Sequence, residues 1–239
     1  MKLVFRAGGV EQRASRGVSG IGTNEKTKNS TPPLMFDGIM LLMNEKKRQK
    51  YLKIMFECQK RLETLHALSS GRIDGIYFQV LTEMEALQLR KLLELIAFSS
   101  LISHEKAYEK VTKKIDGVWK AKNIFKELEK INPNFYPVPI SGVTKTGWTK
   151  LTGGFLTKKQ FIKLYDECSK HIHVRNPYRV RENSLGFHKK VPEYLSRIET
   201  LLLKHIVSLA GNEELLLVDV PHYEDSVTAI KMSHLVKMG

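Results

Sequence analysis

The chain has 239 residues and a formal net charge of +14, because 39 Lys and Arg outnumber 25 Asp and Glu. Its length allows one substantial hydrophobic core, or at most two small domains. The sequence contains neither an apolar run long enough to span a membrane nor the long apolar segment of a secretory signal. Cys58 and Cys168 fit a reduced protein better than a disulfide framework. We therefore expect a cytoplasmic protein without a membrane partner.

The excess of positive charge extends over the whole chain. Residues 1–34 contain six Lys and Arg against two Glu, so this segment contributes +4 and the remainder +10. A basic protein of this kind suits a polyanionic partner, of which nucleic acid is the leading candidate. The alternative is a generally basic surface that serves solubility. We expect nucleic acid as the partner, RNA rather than DNA.

The N-terminal segment lacks the pattern of a folded domain. Residues 1–34 are rich in Gly, Ser, Thr and Asn and show no apolar periodicity. The ordered pattern begins near Asn44. We therefore predict a disordered extension over residues 1–43 and a single domain over residues 44–239.

The first half of that domain is predicted to contain two long helices. Asn44 caps a helix that ends near Ser69. Residues 73–81 are compatible with a short strand or with an extension of the next helix, and we favour the helix. Thr82 and Glu85 have the spacing of a capping box, which predicts that the next helix begins at Thr82.

That helix, over residues 82–103, is apolar on nearly every side, as expected for a helix at the centre of a domain. Its first apolar face consists of Ala86, Leu89, Leu92, Leu93, Ile96 and Ala97. Its second apolar face consists of Met84, Leu87, Leu95, Phe98 and Ile102.

The remaining elements complete an α+β fold. The patterns predict helices over residues 104–114, 118–131, 158–174 and 191–210, a loop up to residue 190, and strands over 213–220 and 226–238. Prolines and glycines between residues 132 and 154 favour extended segments and turns. We predict a predominantly helical bundle around a central buried helix, with a small antiparallel β-sheet from residues 134–151 and 213–238.

Polar side chains are concentrated between Cys168 and His188. Residues 168–188 contain three His, three Arg and two Asn around the end of a helix and the loop that follows. Functional residues are frequent on loops that rigid elements hold in place. His171 and His173 lack the i,i+4 spacing of a zinc-binding helix, so we predict no metal and no cofactor.

The same cluster is suited to phosphodiester chemistry. Histidine can transfer a proton near neutral pH, while arginine and asparagine bind phosphate oxygens. A metal-independent ribonuclease needs little more, because the 2′-hydroxyl of RNA is itself the nucleophile. The simpler interpretation of His173 is a histidine that the helix dipole favours at a helix C-terminus.

Residues 181–188 read R-E-N-S-L-G-F-H, with six residues between Arg181 and His188. This resembles the motif of HEPN-type ribonucleases, helical toxins and antiviral defence nucleases that pair an arginine with a histidine a few residues later. In that family the pair normally lies on a helix, whereas Gly186 here favours a loop. The stretches LRKLLELI and HIHVRNPY also resemble uncharacterised bacterial and phage-associated helical proteins. The HEPN resemblance implies that Arg181 and His188 are site residues.

Arg90 and Glu94 form an i,i+4 pair of opposite charges in an otherwise apolar helix. The simple interpretation is a structural ion pair. In the alternative, Glu94 orients His173 while Arg90 contacts a substrate phosphate. We predict that Glu94 lies within hydrogen-bond distance of His173, Arg175 or Tyr178, and that Glu94→Ala costs about 3 kcal/mol of stability.

The sequence thus favours a nucleic-acid-associated protein, with a HEPN-like ribonuclease as the leading hypothesis. The alternative is a non-catalytic basic module that binds nucleic acid or an acidic protein, and a homodimer is compatible with either function. The candidate catalytic residues are His173, Arg175, Arg181, His188 and Glu94. The candidate nucleic-acid-binding residues are Lys158, Lys159, Lys163, Arg179, Arg181, Lys189 and Lys190.

Overall fold

The computed structural model describes residues 3–5, 35–103, 121–131, 133–144, 147–173, 178, 183–208, 214–221 and 231–237. Within these residues the chain is mostly helical, with an antiparallel sheet beside the helices. The predicted α+β fold is therefore confirmed.

The described part of the chain contains six helices and six strands. The helices are α1 (Met35–Ser69), α2 (Phe78–Ser103), α3 (Ala121–Ile131), α4 (Lys158–Ile172), α5 (Ser184–His188) and α6 (Val191–Leu203). The strands are β1 (Leu3–Phe5), β2 (Val138–Thr144), β3 (Gly147–Lys150), β4 (Lys204–Ser208), β5 (Glu214–Asp219) and β6 (Lys231–Lys237).

Two of the described elements include residues N-terminal to Asn44. Helix α1 begins at Met35, upstream of Asn44. Strand β1 also lies in the segment expected to be disordered, and it pairs with β6, where Val4 is opposite Val236. The helix predicted over residues 104–114 lies outside the described residues.

Helix α2 forms the centre of the core, as its first apolar face predicts. Leu89, Leu92, Leu93 and Ile96 are fully buried. The second apolar face is less buried, and Leu87 is exposed. The core therefore covers one broad side of α2, which packs against α1, α3, α4 and α5.

The start of α2 corrects the predicted capping box. The helix begins at Phe78, so residues 78–81 extend it upstream of Thr82, in line with the helical alternative favoured for residues 73–81. The Thr82 hydroxyl donates a hydrogen bond to the Phe78 carbonyl over 3.0 Å, so it lies one turn inside the helix. The Glu85 side chain is bonded to a histidine of α5 instead of the helix start.

The sheet is antiparallel, with strand order β1-β6-β5-β4-β2-β3. Val207, Leu216 and Val218 join the main core, whereas Ile206 and Leu215 belong to a smaller apolar cluster that also contains Ile140. Strand β4 corrects the predicted helix over residues 191–210, because α6 ends at Leu203 and the chain then continues as a strand between β2 and β5.

The region around the predicted polar cluster is partly as expected. Helix α4 begins at Lys158, and Thr157 forms a capping box with Gln160. The predicted loop up to residue 190 contains the short helix α5, and Gly186 lies inside it. No helix among the described residues has the length and apolar character needed to cross a membrane.

Candidate functional site

The short helix α5 is held on the first turns of α2 by contacts from both of its ends. At its start, the Asn183 side chain accepts a hydrogen bond from the Gly186 N–H over 2.7 Å. Ser184 donates to the Gln79 side chain over 3.3 Å. Phe187 is buried, with its ring centroid 4.3 Å from that of His171 at the end of α4. These contacts fix the position of the next residue, His188.

His188 and Glu85 form a paired histidine and carboxylate at this junction. Nδ1 of His188 lies 2.9 Å and 3.0 Å from the two carboxylate oxygens of Glu85. The Glu85 side chain is 0% exposed, whereas the His188 side chain is 25% exposed. The pair therefore connects the protein interior to its surface.

The contacts determine which ring nitrogen of His188 carries the proton. An ionised carboxylate only accepts hydrogen bonds, so Nδ1 donates to Glu85 and the lone pair of a neutral ring is on Nε2. The Phe78 ring is edge-on to the imidazole, with centroids 5.5 Å apart. Burial raises the pKa of Glu85, while the hydrogen bond and charge of His188 oppose this rise. The arrangement resembles that of a histidine base held by a buried carboxylate.

Glu94 lies in a different network from the one predicted. It accepts hydrogen bonds from the Tyr165 hydroxyl over 3.0 Å and from Arg90 Nε over 3.3 Å. Arg90 also donates to Ser169 over 3.2 Å, and its guanidinium carbon lies 4.9 Å from the centroid of the Tyr165 ring. Among the described residues, neither His173 nor Tyr178 bonds to Glu94. Glu94 therefore joins α2 to α4 and does not orient His173.

Of the other candidate catalytic residues, the described ones, His173 and His188, form no hydrogen bond with Glu94. His173 is exposed and forms the C-cap of α4. Tyr178 is exposed too. Arg175, Arg179 and Arg181 lie outside the described residues.

Helix α4 is antiparallel to α2, because Tyr165 contacts Glu94 and Ser169 contacts Arg90. The C-terminal end of α4 therefore lies towards the first turns of α2, near Glu85.

The candidate lysines lie in two places: Lys158, Lys159 and Lys163 are on α4, whereas Lys189 and Lys190 follow α5. Lys158 begins α4 and forms an ion pair with Glu129 at 2.5 Å. His171, which contacts α5, is about 20 Å further along that helix at 1.5 Å per residue. Lys189 and Lys190 are exposed and directly follow His188. Of the candidate lysines, Lys189 and Lys190 are therefore the two that are next to His188 and Glu85.

Glu85 is the site residue that the sequence interpretation missed as a functional candidate. It is on the same helical face as Leu89, Leu92 and Ile96. An acidic residue on the apolar face of a buried helix needs a partner, because an unpaired buried charge is costly. The position of Glu85 on the apolar face therefore indicates a buried polar partner. The capping-box spacing from Thr82 instead suggested that Glu85 serves the start of the helix.

A second histidine–carboxylate pair and a buried histidine also occur. His66 on α1 lies 2.6 Å from Glu199 on α6, with both side chains partly exposed. The buried ring of His205 bonds to Tyr51 over 2.7 Å. Among the described residues, no three His, Cys, Asp or Glu side chains are grouped so that they could hold a metal ion.

No protein-family model, curated protein or solved structure matches the chain. Its function must therefore be inferred from the geometry around His188 and Glu85.

Proposed function

We propose that this chain is a metal-independent ribonuclease in which His188 transfers a proton and Glu85 holds its ring in position. The observation that carries the proposal is the hydrogen bond from a partly exposed histidine to a fully buried carboxylate. This bond leaves Nε2 of His188 as the free base, and no described residue forms a hydrogen bond with that nitrogen. The resemblance of residues 181–188 to the HEPN motif supports the same assignment.

The reaction needs one proton acceptor and stabilisation of the phosphate. Nε2 of His188 removes the proton from a ribose 2′-hydroxyl, and the 2′-oxygen forms a bond to the adjacent phosphorus. The bond from phosphorus to the 5′-oxygen breaks, and that oxygen takes a proton from solvent. The products are a 2′,3′-cyclic phosphate and a free 5′-hydroxyl. Protein groups that stabilise the phosphate charge would include Lys189, Lys190 and Arg181, which match the basic character of the chain.

The proposed setting is a cytoplasmic defence or toxin ribonuclease acting on RNA. The second candidate is a non-catalytic module that binds RNA through the same surface, as a monomer or a homodimer. It is favoured by the exposed Lys189 and Lys190, which serve phosphate binding without any proton transfer.

The decisive experiment compares RNA cleavage by the wild type and by His188→Asn in the presence of EDTA. The asparagine amide replaces the Nδ1–H donor to Glu85 but supplies no base at the position of Nε2. We expect the variant to lose at least about 100-fold in rate, as removal of a general base does. The wild-type product should carry a 2′,3′-cyclic phosphate, detectable by mass spectrometry.

His66→Gln is the matched control, because His66 also pairs with a carboxylate and is exposed to a similar degree. This variant should cleave RNA at the wild-type rate. Equal rates for His188→Asn and wild type would refute the role of His188. Binding of RNA without cleavage by the wild type would establish the non-catalytic module instead.

A further inference from the structure

Four large apolar side chains near the start of α2 and on α5 are exposed, and two of them are aromatic. Ile76 and Tyr77 precede α2, Phe78 is its first residue and Leu185 is on α5. The exposed fractions are 97% for Ile76, 60% for Tyr77, 43% for Phe78 and 52% for Leu185. We name these four residues the aromatic rim.

Two contacts connect the start of α2 with α5 next to the histidine. The Phe78 ring is edge-on to the His188 ring at 5.5 Å. Leu185 follows Ser184, which donates a hydrogen bond to Gln79 at the start of α2. The start of α2 and helix α5 therefore lie against each other beside His188, and the exposed apolar side chains belong to these two neighbouring segments.

The loop that carries Ile76 and Tyr77 is held by its backbone. Gly71 has a φ of +72°, which favours glycine, and the Ile73 N–H donates to the Ala67 carbonyl over 3.0 Å. A Cβ on Gly75 would lie 2.7 Å from the Leu81 nitrogen, so the loop packs closely on α2. The Tyr77 carbonyl accepts hydrogen bonds from the N–H groups of Val80 and Leu81. The backbone of Tyr77 is thus held in position, while its side chain is exposed.

Exposed apolar patches commonly mark sites of interaction, and the charge next to this one indicates the kind of partner. Lys189 and Lys190 are exposed immediately after His188, in a chain with a net charge of +14. Aromatic side chains next to cations are the features with which proteins bind single-stranded nucleic acid, by stacking on bases and by neutralising phosphates. An apolar protein partner would use the rim but would gain nothing from the lysines.

We infer that the aromatic rim binds unpaired bases and that the substrate is single-stranded RNA. Tyr77 stacks on a base, while Lys189 and Lys190 contact the adjacent phosphates. A paired base is not available for this contact, because both of its faces are stacked inside the duplex. This inference rests on the proposed function, since it assigns the substrate of the His188 site.

The test measures binding separately from cleavage. A short RNA with 2′-O-methyl riboses cannot be cleaved by attack of the 2′-hydroxyl. Its affinity for the protein therefore measures binding at the aromatic rim, whether or not the protein is an enzyme. We expect Tyr77→Ala to weaken binding of this single strand about tenfold, the size of one lost stacking contact, as measured by fluorescence anisotropy. Tyr77→Phe should retain the wild-type affinity, because it keeps the ring.

Phe56 on α1 provides the matched control, because it is an exposed aromatic residue outside the rim. Phe56→Ala should bind the single strand like the wild type. A duplex of the same sequence should bind weakly, and Tyr77→Ala should not change its affinity. Equal affinity of Tyr77→Ala and wild type for the single strand would overturn the inference. Self-association that Tyr77→Ala abolishes would also overturn it, because a second copy would then occupy the rim.

The outcomes for the two proposals are distinguishable. If His188→Asn and wild type are equally active while Tyr77→Ala weakens binding, the ribonuclease assignment of His188 fails and the rim is retained. If cleavage depends on His188 but Tyr77→Ala binds and cleaves single strands like the wild type, the proposal that the aromatic rim binds bases fails. The ribonuclease proposal is then retained.

Discussion

His205 is a fully buried histidine whose two ring nitrogens both have partners. Nδ1 lies 2.9 Å from the Leu202 carbonyl, and Nε2 lies 2.7 Å from the Tyr51 hydroxyl. Because a carbonyl only accepts, Nδ1 carries the proton and Nε2 accepts from Tyr51 in a neutral ring. Burial lowers the pKa of His205 from 6.5 to about 4, although the Leu202 carbonyl and Asp219 oppose this shift.

This shift predicts a loss of stability in acid. Between pH 6.5 and pH 4 the unfolded chain protonates this histidine while the folded chain does not, so the free energy of unfolding falls as the pH falls. The expected loss is about 3 kcal/mol once the pH is below both values. Denaturant unfolding at several pH values should show a smaller fall for His205→Asn than for wild type. An identical pH dependence in the two proteins would contradict this assignment.

The two cysteines are predicted to be unreactive in the folded protein. Cys58 and Cys168 are free and buried, and burial raises the pKa of both thiols. The thiolate is the reactive form, so both burial and protonation slow the reaction. A thiol reagent should label neither cysteine in the native protein within minutes and both in denaturant. Rapid native labelling would show that the core around α1 or α4 opens easily.

At the scale of the elements, Glu94 joins α2 to α4 at a partly exposed position. The Glu94 and Arg90 side chains are 28% and 26% exposed, so loss of this pair does not leave a fully buried charge. The structure therefore predicts that Glu94→Ala costs about 1 kcal/mol rather than about 3 kcal/mol. A double-mutant cycle with Tyr165→Phe in denaturant unfolding should give a coupling energy of similar size. A loss above about 3 kcal/mol would restore the expectation of a buried pair.

The short helix α5 depends on the fit between Gly186 and its cap. A Cβ on Gly186 would lie 2.5 Å from Nδ2 of the Asn183 side chain, so Gly186→Ala must displace this capping side chain. We expect a cost of about 1 kcal/mol, the value of a lost N-cap. In an Asn183→Ala background the space is free, and the same substitution should stabilise the protein because alanine favours a helix. Denaturant unfolding of the wild type, the two single variants and the double variant tests this reversal of sign, and additive effects would contradict it.

At the scale of the whole molecule, the net charge of +14 predicts that the proposed RNA binding weakens as the salt concentration increases. Lys189 and Lys190 lie next to His188, whereas Lys158 is paired with Glu129 at the other end of α4. Replacing Lys189 and Lys190 by glutamine should reduce the slope of log affinity against log salt by about 1.4, the value for two phosphate contacts on a single strand. Lys158→Gln is the control and should leave the slope unchanged. Equal slopes for all three proteins would remove Lys189 and Lys190 from the binding surface.

Local patterns in the sequence determined many of the elements. Thr157 and the apolar spacing after it predicted α4, and the first apolar face of residues 82–103 predicted the buried side of α2. Prolines and glycines between residues 132 and 154 predicted the extended pair β2 and β3. These predictions succeed because caps, turns and helical periodicity depend on residues within a few positions of each other.

The tertiary structure alone decided the features that depend on distant residues. Residues 204–208 continue the apolar pattern of a helix, yet they form β4 because β2 and β5 supply hydrogen-bond partners on both sides. Glu85 has the spacing of a capping box with Thr82, yet its partner is His188, 103 positions away. Local spacing cannot reveal such a partner, because a buried carboxylate is satisfied by whichever donor the packing of α5 on α2 brings to it.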